Sequence, residues 1–278
     1  MKKLFIFCCL LIATATIPLS YLSAKGSPIL FFAPTRINLN DQNPIAEVRV
    51  TNTSDIARSY NLSLENLIMT PEGVTQRVDD FDYAAKRMLR LVPRQFDLQP
   101  GERRIVRIMT RIRPGTEDGQ YHSHLEFLEN IKKRAELNKD SEHGKPTATV
   151  NAQISYAAAL PITITVGQIQ TEVAISNVSF GYNDKNIPEV SLAMERQGNG
   201  QGNIILEVDH IAEDGTITTA ATRQELYVYR ELDKRNFSFI LNLLKDNTEI
   251  QGGNINVKLF NRNISETEPV QEVTLPFS

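Results

Sequence analysis

The stretch at residues 147–166, TATVNAQISYAAALPITITV, constrains the fold more than any other part of the chain. Over its first half, apolar residues occupy every second position, and threonine, asparagine, glutamine and serine fill the positions between them. Because successive side chains of a β-strand point to opposite faces of the sheet, this alternation predicts one long strand with an apolar face. That face consists of Ala148, Val150, Ala152, Ile154, Tyr156, Ala158 and Leu160.

The segment before this strand is highly charged. Half of residues 129–146 are Lys, Arg, Asp or Glu, and such a segment buries too little apolar surface to order itself. We therefore expect the strand that follows to lie at the edge of a sheet. An edge strand with an apolar face is either an aggregation hazard or a binding site. The alternative is that this strand simply closes its own sandwich.

The N-terminus predicts a secretory signal peptide at residues 1–26, with a positively charged start, an apolar run and small residues before cleavage after Ala24 or Gly26. The apolar run is too short for a helix that spans a bilayer, so we expect export without membrane insertion. Cys8 and Cys9 are the chain's two cysteines, and both lie in this peptide. The mature chain would then contain no disulfide and no cysteine-based metal site.

Composition excludes some classes of partner. The formal net charge is −3, which gives no long-range field that would attract nucleic acid. Trp is absent and aromatic residues make up 7% of the chain, which argues against surfaces that stack nucleobases.

Short alternating segments separated by turn residues fill the rest of the chain and predict an all-β fold. Their number and spacing are typical of two immunoglobulin-like β-sandwich domains, at residues 27–165 and 166–278, joined by a short linker. Pro34 predicts a first strand that is kinked or at an edge. Only residues 80–88 have a pattern that allows a short helix.

Two further segments are predicted to be structural. The glycine-rich loop at residues 198–202, GNGQG, lacks the lysine and helix of a phosphate-binding loop, so a hairpin turn is expected. A cluster of arginines is expected on a solvated edge strand, with a docking patch as the alternative. These arginines are Arg103, Arg104, Arg107, Arg111 and Arg113.

One metal-dependent alternative comes from His122, His124 and Glu126, which share one face of a predicted strand. Two histidines and a carboxylate are suitable zinc ligands. The simpler hypothesis is that the alternate residues from Tyr121 to Phe127 face the core and this set faces water. We therefore expect no enzyme activity, no metal and no cofactor.

Several segments resemble the periplasmic chaperones of the chaperone–usher pilus pathway, in particular the archaic or alternative branch. The resemblance follows the order of the segments along the chain, firmly in the first half and more loosely in the second. The segments are FAPTRI (32–37), VPRQF (92–96), LQPGE (98–102), IVRI (105–108), DGQYHSHL (118–125) and ERQGN (195–199).

The resemblance implies two immunoglobulin-like domains in a boomerang arrangement, located in the periplasm. It also implies that the chain binds pilin or fimbrial subunits, which lack their last strand, and delivers them to an outer-membrane usher. The donated strand would be residues 147–160. The implied subunit-binding residues are Arg36, Ala148, Val150, Ala152, Ile154 and Tyr156.

One feature of this family is only half present. Its members hold the C-terminal carboxylate of the subunit with an arginine on the first strand and a lysine late in the donor strand. Arg36 matches the arginine, but residues 147–167 contain no lysine, and the Tyr156 hydroxyl is a weak substitute. A structural or adhesive secreted protein, with no client subunit, is the alternative function.

Overall fold

The computed structural model describes residues 29–138, 157–242, 244–245, 248–249, 252–261 and 267–277. These residues form two β-sandwiches, which confirms the predicted all-β fold. The predicted signal peptide lies outside the described residues. Neither of the helical segments within them has the length and apolar character needed to cross a membrane.

The first sandwich contains the strands β1 to β10, a 3₁₀ turn and one short α-helix. The strands are β1 (Leu30–Ala33), β2 (Ile37–Leu39), β3 (Ile45–Asn52), β4 (Arg58–Met69), β5 (Thr75–Val78), β6 (Leu89–Val92), β7 (Gln95–Leu98), β8 (Arg103–Thr110), β9 (Gly119–Glu129) and β10 (Ala157–Val166). The 3₁₀ turn is Lys86–Met88, and the helix α1 is Ile131–Leu137. Of the short helix predicted at residues 80–88, only this 3₁₀ turn forms.

Two sheets face each other in this sandwich. One has the order β1-β3-β8-β6, and the other has the order β2-β10-β9-β4-β5 with β7 also paired to β4. The chain passes from the first sheet to the second at Pro34, and β1 and β2 are both edge strands, as predicted. Alternate residues fill the space between the sheets, and Val48, Val106, Leu125 and Ile162 are fully buried there.

The second sandwich is built in the same way. Its strands are β11 (Thr171–Tyr182), β12 (Pro188–Gly198), β13 (Gly202–Ile211), β14 (Ile217–Val228), β15 (Lys234–Ile240), β16 (Leu244–Lys245), β17 (Thr248–Glu249), β18 (Asn254–Phe260) and β19 (Gln271–Pro276). The sheet β11-β12-β15 packs on the sheet β14-β13-β18-β19, and β16 pairs with β17. Val190, Met194, Ile204 and Val257 are fully buried between the two larger sheets.

The strand β10 is only partly at an edge, which corrects the prediction for its second half. It pairs along its whole length with β9, antiparallel, from Ala157 opposite Leu128 to Val166 opposite Gly119. At residues 162–164 it also pairs with β2, in parallel, and is therefore interior. No strand among the described residues pairs with the outer side of residues 157–161.

The helix α1 lies in the charged segment that the sequence predicts to be disordered. That prediction is therefore wrong for Ile131–Leu137. The Asn130 side chain caps the helix by accepting the Lys133 amide N–H at 3.1 Å. At the other end Asn138 exchanges two hydrogen bonds with the backbone of Ala57, at 3.0 and 2.8 Å. Polar contacts to the sheet therefore order a segment that has little apolar surface to bury.

Residues 198–202 are not a hairpin turn, which corrects the prediction. The strands on either side, β12 and β13, belong to different sheets, so the loop crosses from one sheet of the second sandwich to the other. Gly198 has a φ of +100°, and a Cβ there would lie 1.9 Å from the Gln170 carbonyl oxygen. The Arg196 guanidinium donates to the carbonyls of Gly198 and Gly200, at 2.6 and 3.0 Å, and holds the loop in place.

The arginine-rich strand β8 is also placed differently from the prediction. It lies between β3 and β6 and is not an edge strand. Arg103, Arg104 and Arg107 are exposed on it, as expected. Arg107 pairs with Glu47 of the neighbouring strand at 2.8 Å, an exposed ion pair of the kind worth at most about 1 kcal/mol.

Candidate functional site

The interface between the two sandwiches, here called the cleft, brings together charged and aromatic side chains that are far apart in the sequence. On the side of the first sandwich, one residue lies just before β2 and two lie on β9. On the side of the second sandwich, one lies at the end of β14 and two lie just after it. The side chains that meet there are Arg36, His122, His124, Tyr227, Tyr229 and Glu231.

Arg36 lies half-buried in this cleft, just before the edge strand β2, and not on the open surface. Its guanidinium carbon is 3.7 Å from the centre of the Tyr227 ring, a cation–π contact. Its Nη1 is buried and has no hydrogen-bond partner within the described part of the chain. A buried donor without an acceptor costs about 1–3 kcal/mol, and more when it is charged. The position therefore favours an anionic ligand.

His122 connects the two sandwiches. Its Nε2 is 2.9 Å from a carboxylate oxygen of Glu231, and its ring stacks on Tyr229 at 4.3 Å. The other Glu231 oxygen accepts the backbone N–H of Met69, in the first sandwich, at 3.0 Å. Burial by itself raises the pKa of Glu231, but the hydrogen bond and charge of His122 outweigh it and lower the pKa below its usual value.

His124 is the second histidine of the cleft, next to Tyr229, whose ring centre is 6.2 Å away. Its Nδ1 is buried without a hydrogen-bond partner among the described residues. Burial lowers the pKa of His124 to about 4, and the nearby positive charges of His122 and Arg36 act in the same direction. The imidazole is therefore neutral near pH 7.

The predicted solvent exposure of the histidine face is wrong. His122 and His124 are 3% and 4% exposed, because the second sandwich covers this face of β9. The opposite face was predicted correctly, since Ser123, Leu125 and Phe127 are fully buried in the first sandwich.

The metal-site alternative has no support in the described parts of the chain. Glu126, its third member, forms ion pairs elsewhere, with Arg77, and one carboxylate oxygen of Glu231 is already held by His122. No group of three or more His, Cys, Asp or Glu side chains is arranged to hold a metal ion among the described residues.

The outer side of residues 157–161 of β10, which no described strand pairs, opens onto a small apolar pocket at the other end of the first sandwich. The pocket has a volume of about 160 Å³ and lies where β1 and β10, from opposite sheets, come close together. Phe127 in its wall stacks on Phe32 with ring centres 5.8 Å apart. The lining residues are Ile29, Leu30, Tyr60, Phe127, Ala157 and Ala158.

The other predicted subunit-binding residues lie outside the described residues. These are Ala148, Val150, Ala152, Ile154 and Tyr156. Within the described part of the same strand the alternation continues as predicted, because Leu160, Ile162 and Ile164 are buried in the core. Arg36 is thus the one predicted site residue whose surroundings the structure describes.

The contribution of the second sandwich to the cleft was not predicted from the sequence. Tyr227, Tyr229 and Glu231 belong to the run YVYRE, which has no motif or spacing that marks a site. Glu231 is 109 positions from its partner His122, so only the packing of the two sandwiches brings them together.

Comparisons with known proteins find no match in sequence and several solved structures of low similarity. No protein family model matches the chain, and no curated protein matches it in sequence. A chain from a chaperone–tip adhesin complex of CFA/I fimbriae biogenesis is 15% identical, with a TM-score of 0.44, and the match covers 89% of this chain and 98% of that chain.

Two other solved structures are similar to the same degree. A chain from the CsuC–CsuE chaperone–tip subunit pre-assembly complex of the archaic Csu pili of Acinetobacter baumannii is 8% identical, with a TM-score of 0.44 and coverage of 89% of this chain and 97% of that chain. A chain from the Salmonella enterica SafA pilin complex with the SafB chaperone is 13% identical, with a TM-score of 0.44 and coverage of 89% and 96%.

Proposed function

We propose that this protein is a non-enzymatic periplasmic chaperone for pilus or fimbrial subunits, which it delivers to an outer-membrane usher. It would hold an incomplete sandwich subunit by lending it the strand at residues 147–160. The observation that carries this proposal is the outer edge of β10 at residues 157–161, which no described strand pairs and which opens onto an apolar pocket.

The physical basis is the pairing of strand edges. An exposed strand edge offers backbone hydrogen bonds to any partner strand, and alternate side chains then fill pockets in the partner's open core. Val150 and Ile154 are the largest aliphatic side chains on the apolar face ahead of β10. Burying each of them is worth about 1.5–3 kcal/mol. Ala148 and Ala152 would fill their pockets less completely, which suits a chaperone that later releases its subunit.

Arg36, in the cleft between the two sandwiches, supports the same proposal. Its buried Nη1 lacks a partner among the described residues, and a guanidinium binds a carboxylate through two parallel hydrogen bonds. The C-terminal carboxylate of a subunit would satisfy this donor. The subunit would then be anchored in the cleft while its open core lies along the donated strand.

The proposal is tested by co-purification from the periplasm of cells that also express the subunits. Val150→Asp and Ile154→Asp should lose the subunit, because the charge would have to be desolvated inside the partner's core, while the melting temperature of the free protein stays unchanged. The matched control is Gln153→Asp, which places the same charge on the opposite face of the strand. If the Asp variants unfold the free protein, the strand closes its own sandwich and the structural alternative is correct.

A further inference from the structure

A basic pocket lies at one edge of the first sandwich, away from the cleft. It has a volume of about 700 Å³, and four arginines line it, namely Arg87, Arg90, Arg111 and Arg113. No acidic side chain is among the described residues of its wall. Arg111 and Arg113 belong to the arginine cluster of the sequence, for which a docking patch is the alternative to a solvated strand.

Most of the positive charge in this pocket is not neutralised. Arg87 forms an ion pair with Asp80 at 2.7 Å. The Arg90 guanidinium donates to the backbone carbonyl of the preceding residue at 2.9 Å. Within the described parts of the chain, the side chains of Arg90, Arg111 and Arg113 have no acidic partner, and all three are exposed. Three guanidinium groups therefore line one pocket without a counter-charge.

The two sides of the pocket are held together by backbone contacts. The Arg111 N–H donates to the Met88 carbonyl at 2.8 Å, and the Thr110 hydroxyl donates to the same carbonyl at 3.3 Å. Met88 and Ile112, which also line the pocket, are half-buried and pack against the core of the first sandwich. The pocket thus combines arginines with apolar side chains in a preformed arrangement, which lowers the cost of ordering on binding.

The pocket adjoins an open strand edge. Arg90 belongs to β6, which pairs with β8 on one side, and no described strand pairs with its other side. Val92 shares a face of β6 with Arg90 and is 54% exposed. Such an edge offers backbone hydrogen bonds to an extended segment of another chain.

We propose that this pocket and the free edge of β6 form a docking site for an extended acidic segment of another protein. The planar guanidinium groups match carboxylates through paired hydrogen bonds. A phosphate polymer or a lipid headgroup would use the arginines alone. A polypeptide with alternating acidic and apolar side chains would also use the apolar residues of the pocket and the backbone groups of the strand edge.

The site is separate from the subunit-binding surface. The sheet has the order β1-β3-β8-β6, so β6 is at the opposite edge from β1, whose residue Leu30 lines the apolar pocket beside β10. An acidic partner and a subunit could therefore be bound at the same time. The inference does not depend on the proposed function.

The test uses a fluorescent peptide in which Glu and Val alternate, with both termini blocked, and the same peptide with Gln in place of Glu as the matched control ligand. Fluorescence anisotropy of each peptide is measured during titration with the full mature chain. The Glu peptide should bind saturably, and more weakly as salt screens the charges, whereas the Gln peptide should not bind. Arg90→Gln, Arg111→Gln and Arg113→Gln should each weaken binding by about two- to fivefold, as for exposed charge pairs. The triple variant should weaken it by more than about tenfold.

The control variant is Arg104→Gln, at an exposed arginine of β8 that pairs with Glu102 outside the pocket, and it should bind like wild type. Lysine at the three positions keeps the charge and should retain part of the affinity. Equal affinity for the Glu and Gln peptides, or an unchanged affinity in the triple variant, would overturn the inference. Displacement of the Glu peptide by phosphatidylglycerol vesicles would assign the pocket to a lipid headgroup and would also overturn it. Val150→Asp should bind the peptide normally, so a failure of subunit capture and a failure of this site are distinguishable.

Discussion

Lowering the pH should destabilise the protein through His124. Burial lowers the pKa of His124 to about 4, whereas an unfolded chain has a histidine pKa near 6.5. Between these values the unfolded state binds more protons than the folded state, so stability falls as the pH falls. The contribution is fully present above about pH 6.5 and is lost by about pH 4. A difference of this size corresponds to about 3 kcal/mol.

The assay is urea unfolding of the mature chain at several pH values from 7 to 4, compared with His124→Phe. The substitution keeps a ring next to Tyr229 and removes a buried Nδ1 that has no partner among the described residues. At pH 7 we expect the free energy of unfolding of the variant to lie within about 1.5 kcal/mol of the wild-type value, as for substitutions of similar volume. The free energy of unfolding of the variant, relative to that of wild type, should rise by about 3 kcal/mol as the pH falls to 4. A constant difference across this range would refute the burial of a neutral His124.

Two further predictions concern the cleft. Arg36→Ala should weaken subunit binding by about 2–5 kcal/mol. Removing the last residue of the subunit should then reduce the binding free energy much less than it does with wild type. Additive losses of binding free energy would show that Arg36 does not contact the terminus. Glu231→Ala should lower the free energy of unfolding by about 2–5 kcal/mol, since the Met69 amide and His122 both lose a buried partner. The control Glu126→Ala, which loses an ion pair with the half-exposed Arg77, should lower it by less than about 1 kcal/mol. Equal losses in the two variants would contradict the interface described here.

The fold could be predicted because its main signal is local. Alternation along one strand determines which side chains share a face, and Leu160, Ile162 and Ile164 are buried as that pattern requires. The pattern says nothing about what covers the other face. His122 and His124 were therefore assigned to solvent, although the second sandwich buries them.

The remaining errors have the same cause. The turn residues at 198–202 predict a change of direction, but not whether the next strand joins the same sheet, and β13 joins the other one. The helix α1 depends on Asn138 and its hydrogen bonds to Ala57, 81 positions away.

Amide hydrogen exchange tests the central claim most directly. It should be measured for residues 147–160 in the free mature chain and in the complex purified with its subunit. If this strand is lent to a subunit, the amides on its outer edge should exchange rapidly in the free chain and become strongly protected in the complex, because the donated edge gains backbone hydrogen bonds from the partner. Equal and strong protection in both samples would mean that the strand already closes its own sandwich, and would contradict the proposed function.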